Sequence, residues 1–149
     1  MISTATKQGD KLIVSIAHAI EECLRTSDII CRYGGDEFVA LLPQLPASKA
    51  REAGERLRAA VENTTFNMDG KAISSTVCIG IATYPDEVSD VYDLLEKADE
   101  SLYECKRSGR NNVTSYTDIS PKATVEHANQ NSKFEVQTGG SRKTDLRKE

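Results

Sequence analysis

No run of about 18 apolar residues occurs anywhere in the 149-residue chain, which excludes a transmembrane helix. The opening Met1-Ile2-Ser3-Thr4-Ala5-Thr6-Lys7 has no apolar core, which excludes a secretory signal of the usual kind. There is no basic excess. The formal net charge is −4, so the electrostatic footprint of a nucleic-acid binder is missing. The four cysteines, Cys23, Cys31, Cys78 and Cys105, form no C-x-x-C pair and lack metal spacing. They read as reduced thiols acting as small core residues of a cytoplasmic protein. No internal repeat is visible. His18 and His127 have no neighbours that suggest a ligand or a base. What is present, 38% hydrophobic and 28% charged residues, is the composition of a soluble domain with a core of its own.

The composition changes near Asp118. Residues 1–117 carry a net charge of −5, and residues 118–149 a net of +1. In the second stretch the large apolar residues are Ile119, Val125, Phe134, Val136 and Leu146, at neither helical nor strand spacing. Such a segment cannot offset its ordering entropy by burial, so 118–149 is expected to be a disordered tail. The folded part is expected within 1–117.

Within it, Leu12, Ile13, Ile16, Ala17, Ile20, Cys23 and Leu24 recur at helical spacing, predicting a helix over roughly 8–25. Ile29–Tyr33 and Phe38–Leu42 read as strands of a hairpin whose tip is Gly34-Gly35-Asp36-Glu37. Ala50, Ala53, Leu57, Ala60 and Val61 line a helix over 47–63, and Met68-Asp69-Gly70-Lys71 reads as a turn. Ile73 to Ala82 is a β-branched run expected to be one long central strand. A third helix spans about 90–107 and is closed by Gly109, with a short strand at Val113–Tyr116. The order α-β-β-α-β-α-β predicts an α/β layered domain with helices on a mostly antiparallel sheet. A palm-like or ferredoxin-like sheet begins with a strand, so this sheet is expected to lack its first one.

The hairpin tip carries the chemistry. Two glycines permit positive φ and close approach of a ligand. Two adjacent carboxylates, Asp36 and Glu37, invite a divalent cation shared with a nucleotide triphosphate. The alternative is a solvated turn of ordinary composition. Asp10, just before Lys11-Leu12, suits a helix N-cap. Lys106 and Arg110, four apart at a helix end, suit either an anion on one side of the helix or the negative end of its dipole. Arg25 and Asp28 read equally as solvated residues at a helix end and in a loop.

Arg32-Tyr33-Gly34-Gly35-Asp36-Glu37-Phe38 resembles the signature of the GGDEF family of diguanylate cyclases. Three further segments agree in order and spacing: Gly9-Asp10-Lys11-Leu12, Ser75 to Ala82, and Ala98 to Asn111. The resemblance covers about residues 8–117. It implies a palm-like domain, akin to adenylyl cyclase and ferredoxin-like folds. It also implies condensation of two GTP to cyclic di-GMP plus pyrophosphate, Mg²⁺ (or Mn²⁺) as cofactor, a homodimer when active, and a cytoplasmic signalling role.

Residue by residue, the resemblance makes Asp36 a metal ligand that helps activate the attacking hydroxyl, and Glu37 a support of the same metal. Gly34 and Gly35 leave room for the nucleotide. Asp10 meets the guanine edge, and Lys106 and Arg110 hold phosphates. Arg25 and Asp28 match an R-x-x-D product-inhibition site, joined by Arg56 from the following helix.

The sequence also departs from the family. The family's opening strand carries a D-x-D-x-F-K segment that supplies a metal-ligating Asp and a Lys, followed by an Asn that contacts guanine. None of these precedes Gly9, and the expected Gly-His pair reads Ala5-Thr6. The chain therefore resembles roughly the C-terminal two-thirds of a GGDEF domain, with half of the metal cage absent and cyclase activity impaired. A catalytically inactive cyclic di-GMP receptor and a non-functional gene remnant are the alternatives, and an internal or misassigned start at Met1 is the other account of the missing segment.

Overall fold

The computed structural model describes residues 1–4 and 9–120. The expected tail lies outside the described residues from 121 onward. In chain order the elements are β1 (Ile2–Thr4), α1 (Asp10–Glu21), β2 (Ile29–Gly34), β3 (Glu37–Leu41), α2 (Ala47–Asn63), β4 (Phe66–Met68), β5 (Lys71–Ile73) and β6 (Val77–Ile81). A 3₁₀ turn at Val91–Asp93, α3 (Leu94–Arg107), β7 (Val113–Ser115) and α4 (Tyr116–Ile119) follow.

β6 explains the layering. Its side chains alternate between two faces, as a strand's must. Val77 and Ile79 point into a core shared with Ile2, Phe38, Val113 and the apolar stripes of α1 (Leu12, Ile13, Ile16, Ile20) and α2 (Leu57, Val61). Cys78 points the other way, into a smaller core with Met1, Leu102 and Cys105 of α3. The α3 side needs a residue without a side chain. A Cβ on Gly80 would lie 2.2 Å from Leu102 N and 2.3 Å from Ala98 O, so only glycine lets the helix backbone rest on the strand.

The five-stranded sheet has the order β2-β3-β1-β6-β7, with β4-β5 as a separate hairpin. All pairings in the main sheet are antiparallel except β6 with β7. The α/β architecture with a mostly antiparallel, palm-like sheet is the expected one, with one correction. The sheet does not lack its first strand. Ile2 pairs with Phe38 on one side and Ile79 on the other, so β1 occupies the centre of the sheet. Gly80 N donates to Met1 O at 2.8 Å, and Ile2 is only 2% exposed. Three residues are too few for a strand period to be read. The slot between β3 and β6, open to hydrogen bonding on both sides, recruits them.

Other differences are local. The run from Ile73 to Ala82 is divided: Ile73 closes the β4–β5 hairpin, and β6 begins only at Val77. Asp69 and Gly70, both with positive φ, make the tight turn that joins β4 to β5. Asp10 is not the N-cap of α1. Gly9 holds that position, and Asp10 is the first helical residue. Cys78 and Cys105 are buried as expected and Cys23 is half-buried, but Cys31 is exposed because β2 is an edge strand. Structure continues past 117. In α4 the Asp118 carboxylate accepts from Ser115 N at 2.8 Å, forming a capping box, and pairs with Arg51 of α2.

Candidate functional site

The turn between β2 and β3 sits at the end of the sheet nearest α1 and α3. Gly35 has φ of 51°, which the left-handed bend requires, and a side chain at Gly34 or Gly35 would meet nothing within 4 Å. The turn is pinned from three directions. Arg32 donates through Nε and Nη2 to Gly35 O, at 2.9 and 2.7 Å. Thr4 N of β1 donates to Asp36 O at 3.2 Å. Lys106 Nζ of α3 donates to Glu37 Oε1 at 2.8 Å, with both side chains about two-thirds buried. Arg32 Nη2 also reaches Asp10 Oδ1 at 3.3 Å, tying the start of α1 to the same turn.

Asp10, Asp36, Glu37 and Lys106, read from the sequence as site residues, are thus tied to one turn. Arg110 is not. Its expected place on one helix side with Lys106 fails because α3 ends at Arg107. Gly109, Arg110 and Asn111 all have positive φ, at 106°, 64° and 48°, so the chain leaves the helix axis before Arg110. Arg110 is exposed and has no ion pair among the described residues. Its neighbour Asn111 instead joins Arg58 and Glu62 of α2, accepting at 2.9 Å and donating at 2.7 Å. Arg32 carries no assigned role in the sequence reading. Its position three residues before Gly35 was the available signal.

The donor set does not fit a resident metal. Asp36 is half-buried, and Glu37 is already engaged by Lys106. The side chains that β1 places beside the hairpin are the hydroxyls of Ser3 and Thr4. Thr4 Oγ1 is buried without a hydrogen-bond partner among the described residues. No group of three or more His, Cys, Asp or Glu able to hold a cation occurs among them. Two carboxylates from one turn leave most of an octahedral shell to be supplied by other oxygens.

A second cluster is more complete. Arg25, Asp28 and Arg56 line one pocket of about 250 Å³ with Leu42, Leu45, Lys49, Glu52 and Ala53. Asp28 Oδ2 accepts from Arg25 N at 2.8 Å, which fixes the loop before β2. Arg56 Nη2 reaches Cys23 O at 3.5 Å, a long contact that leaves most of the guanidinium for other acceptors. Lys49 and Glu52 were not singled out in the sequence. Their signal was the i, i+3, i+7 spacing with Arg56 on α2.

A family profile described as diguanylate cyclase, GGDEF domain, matches residues 6–112. Diguanylate cyclase A of Treponema denticola is 39% identical over 115 residues, covering 77% of this chain and 31% of that protein. Diguanylate cyclase DgcP of Pseudomonas aeruginosa is 39% identical over 106 residues, covering 70% and 16%. The chain thus spans less than a third of the length of these relatives. Among solved structures, the GGDEF domain of the Pseudomonas aeruginosa protein YfiN, or TpbB, superposes with a TM-score of 0.72 at 31% identity, covering 76% of this chain and 78% of that one. The GGDEF domain of DgcB from Caulobacter crescentus, crystallised with cyclic di-GMP, gives 0.67 at 27% identity, covering 77% and 74%. With the Gly34-Gly35-Asp36-Glu37-Phe38 turn held between α1 and α3 on this sheet, the chain belongs to the GGDEF-domain family of diguanylate cyclases.

Proposed function

We propose that this chain is a diguanylate cyclase-type domain, condensing two GTP to cyclic di-GMP and pyrophosphate, with that activity impaired in the chain as it stands. The reading is carried by the turn itself: Asp36 and Glu37 follow two glycines with open space before them, and Lys106 is drawn in beside them. A nucleotide enters where Gly34 and Gly35 carry no side chain. Lys106 exchanges Glu37 for phosphate oxygens, and Arg110 adds a second cation from the loop beyond α3. Asp10, freed from Arg32, accepts from the guanine edge. Asp36 takes the proton of the attacking 3′-hydroxyl, the oxygen bonds to the α-phosphorus of a second GTP and pyrophosphate leaves; the same step in the opposite direction, with the second copy's turn, closes the ring and releases a second pyrophosphate. One turn serves one GTP, so the reaction calls for two copies face to face.

The family's Mg²⁺ or Mn²⁺ has only the two carboxylates of one turn here, so no step is routed through it. That shortfall is the reason for impairment. Incubation of the chain with GTP and Mg²⁺ at high protein concentration, followed by chromatography, should yield cyclic di-GMP at a trace rate that Asp36→Ala removes. The absence of both GTP binding and product would overturn the reading.

A second reading rests on the pocket of Arg25, Asp28 and Arg56. Two guanidinium groups and a carboxylate around 250 Å³ suit the edges and faces of guanine bases. On this reading the chain binds cyclic di-GMP there, whatever its rate of synthesis.

A further inference from the structure

The stripe of α2 that faces the pocket contains more than Arg56. Lys49, Glu52, Ala53 and Arg56 lie at i, i+3, i+4 and i+7, and all four line the cavity. Lys49 Nζ donates to Glu52 Oε2 at 2.8 Å, and the two side chains are 61% and 66% exposed. An ion pair this open to water is held weakly, so either partner can be exchanged for a ligand at little cost. The Glu52 carboxyl is held below the usual carboxylate range by the hydrogen bond and charge of Lys49, with a smaller contribution from Arg56. Glu52 is therefore an internal anion standing between two cations of the pocket.

Resting on the reading that this pocket takes cyclic di-GMP, we infer that Lys49 is a further phosphate-binding residue of the site, and that Glu52 is a built-in competitor that lowers its affinity. A cyclic dinucleotide carries two anionic phosphodiesters as well as two bases. Arg25, Asp28 and Arg56 suit the bases. Lys49, a compact cation on a flexible stem, suits a phosphate as a point charge. On binding, a phosphodiester oxygen replaces the Glu52 carboxylate on Lys49, and Glu52 turns to solvent. Arg56 loses an anionic neighbour and gains the ligand. The carboxylate thus sets the concentration at which the pocket fills.

The test is calorimetric titration of cyclic di-GMP into the 149-residue chain, three α2 variants and a reference variant, Arg25→Ala, at low and high salt. Lys49→Ala should weaken binding about tenfold, the worth of one charge-assisted contact, and flatten its salt dependence. Lys49→Gln should do the same, separating charge from packing. Glu52→Gln should tighten binding by roughly threefold, because a competing charge is removed while the shape is kept. Unchanged affinity and salt dependence in all three variants would overturn the inference. Arg25→Ala serves as the reference. If it abolishes binding while the α2 variants do nothing, this inference alone falls. If Arg25→Ala binds as the parent does, or the parent does not bind, the reading beneath it falls as well.

Discussion

The turn at Gly34–Glu37 and the pocket beside Arg25 are both built on strand β2, one at each end, yet they draw their groups from different distances along the chain. The pocket draws its groups from adjoining pieces of chain: the loop before β2, the segment after β3, and one stripe of α2. All of these are anchored by the larger core. The turn needs groups from β1, α1 and α3, and its neighbours in β1 are hydroxyls rather than carboxylates. A charge cluster supplied by one contiguous region is complete as soon as that region folds. A cluster assembled from distant elements depends on each of them carrying the right residue.

The widest break in this comparison is a change that disables both regions together. Gly80→Ala forces a methyl group against the backbone of α3 at Leu102 and Ala98, and β6 carries the sheet on which both regions stand. Overpacking against backbone should cost about 3 kcal/mol or more, read as loss of stability in chemical denaturation. The next effects separate the regions. Arg25→Ala should reduce cyclic di-GMP affinity by well over tenfold while leaving GTP binding at the turn intact, by calorimetry with each ligand. Lys106→Ala should do the reverse, weakening GTP about tenfold without touching the pocket.

Smaller effects sharpen the picture of β2 itself. Arg32→Ala removes two donors from Gly35 O and the tie to Asp10, and should cost about 1 kcal/mol in denaturation. The cysteines report the same edge. Burial pushes the Cys78 thiol up to about 11, whereas Cys31 is exposed on the edge strand. At mildly alkaline pH Cys78 stays protonated and shielded, so alkylation followed by peptide mapping should modify Cys31 well before Cys78.

Much of this was legible in the sequence. α2 runs over 47–63 as its apolar spacing indicates, and the β2–β3 hairpin and α3 lie close to their expected bounds. Long periodic segments reveal themselves because a helix face or strand face repeats many times. β1 did not, since three residues hold no period and their pairing is decided by β3 and β6, which lie far along the chain. The β4–β5 hairpin was hidden for a related reason: its strands are three residues each, and its turn masks the pairing. At the candidate site, the glycines and carboxylates were readable as a turn with unusual charge. The partners that hold it were less so. The Glu37–Lys106 pair spans 69 positions, and the drift of Arg110 away from Lys106 follows from three consecutive left-handed residues after α3. The i, i+4 spacing of Lys106 and Arg110 places them on one side only if the helix continues, and α3 ends at Arg107.

The central proposal is that the pocket of Arg25, Asp28 and Arg56 takes cyclic di-GMP independently of the turn. Calorimetric titration of cyclic di-GMP into the Asp36→Ala and Arg25→Ala variants tests it most directly. The account predicts binding equal to that of the parent chain in Asp36→Ala and no measurable binding in Arg25→Ala. Binding lost in Asp36→Ala, or kept in Arg25→Ala, would place the ligand at the turn and contradict it.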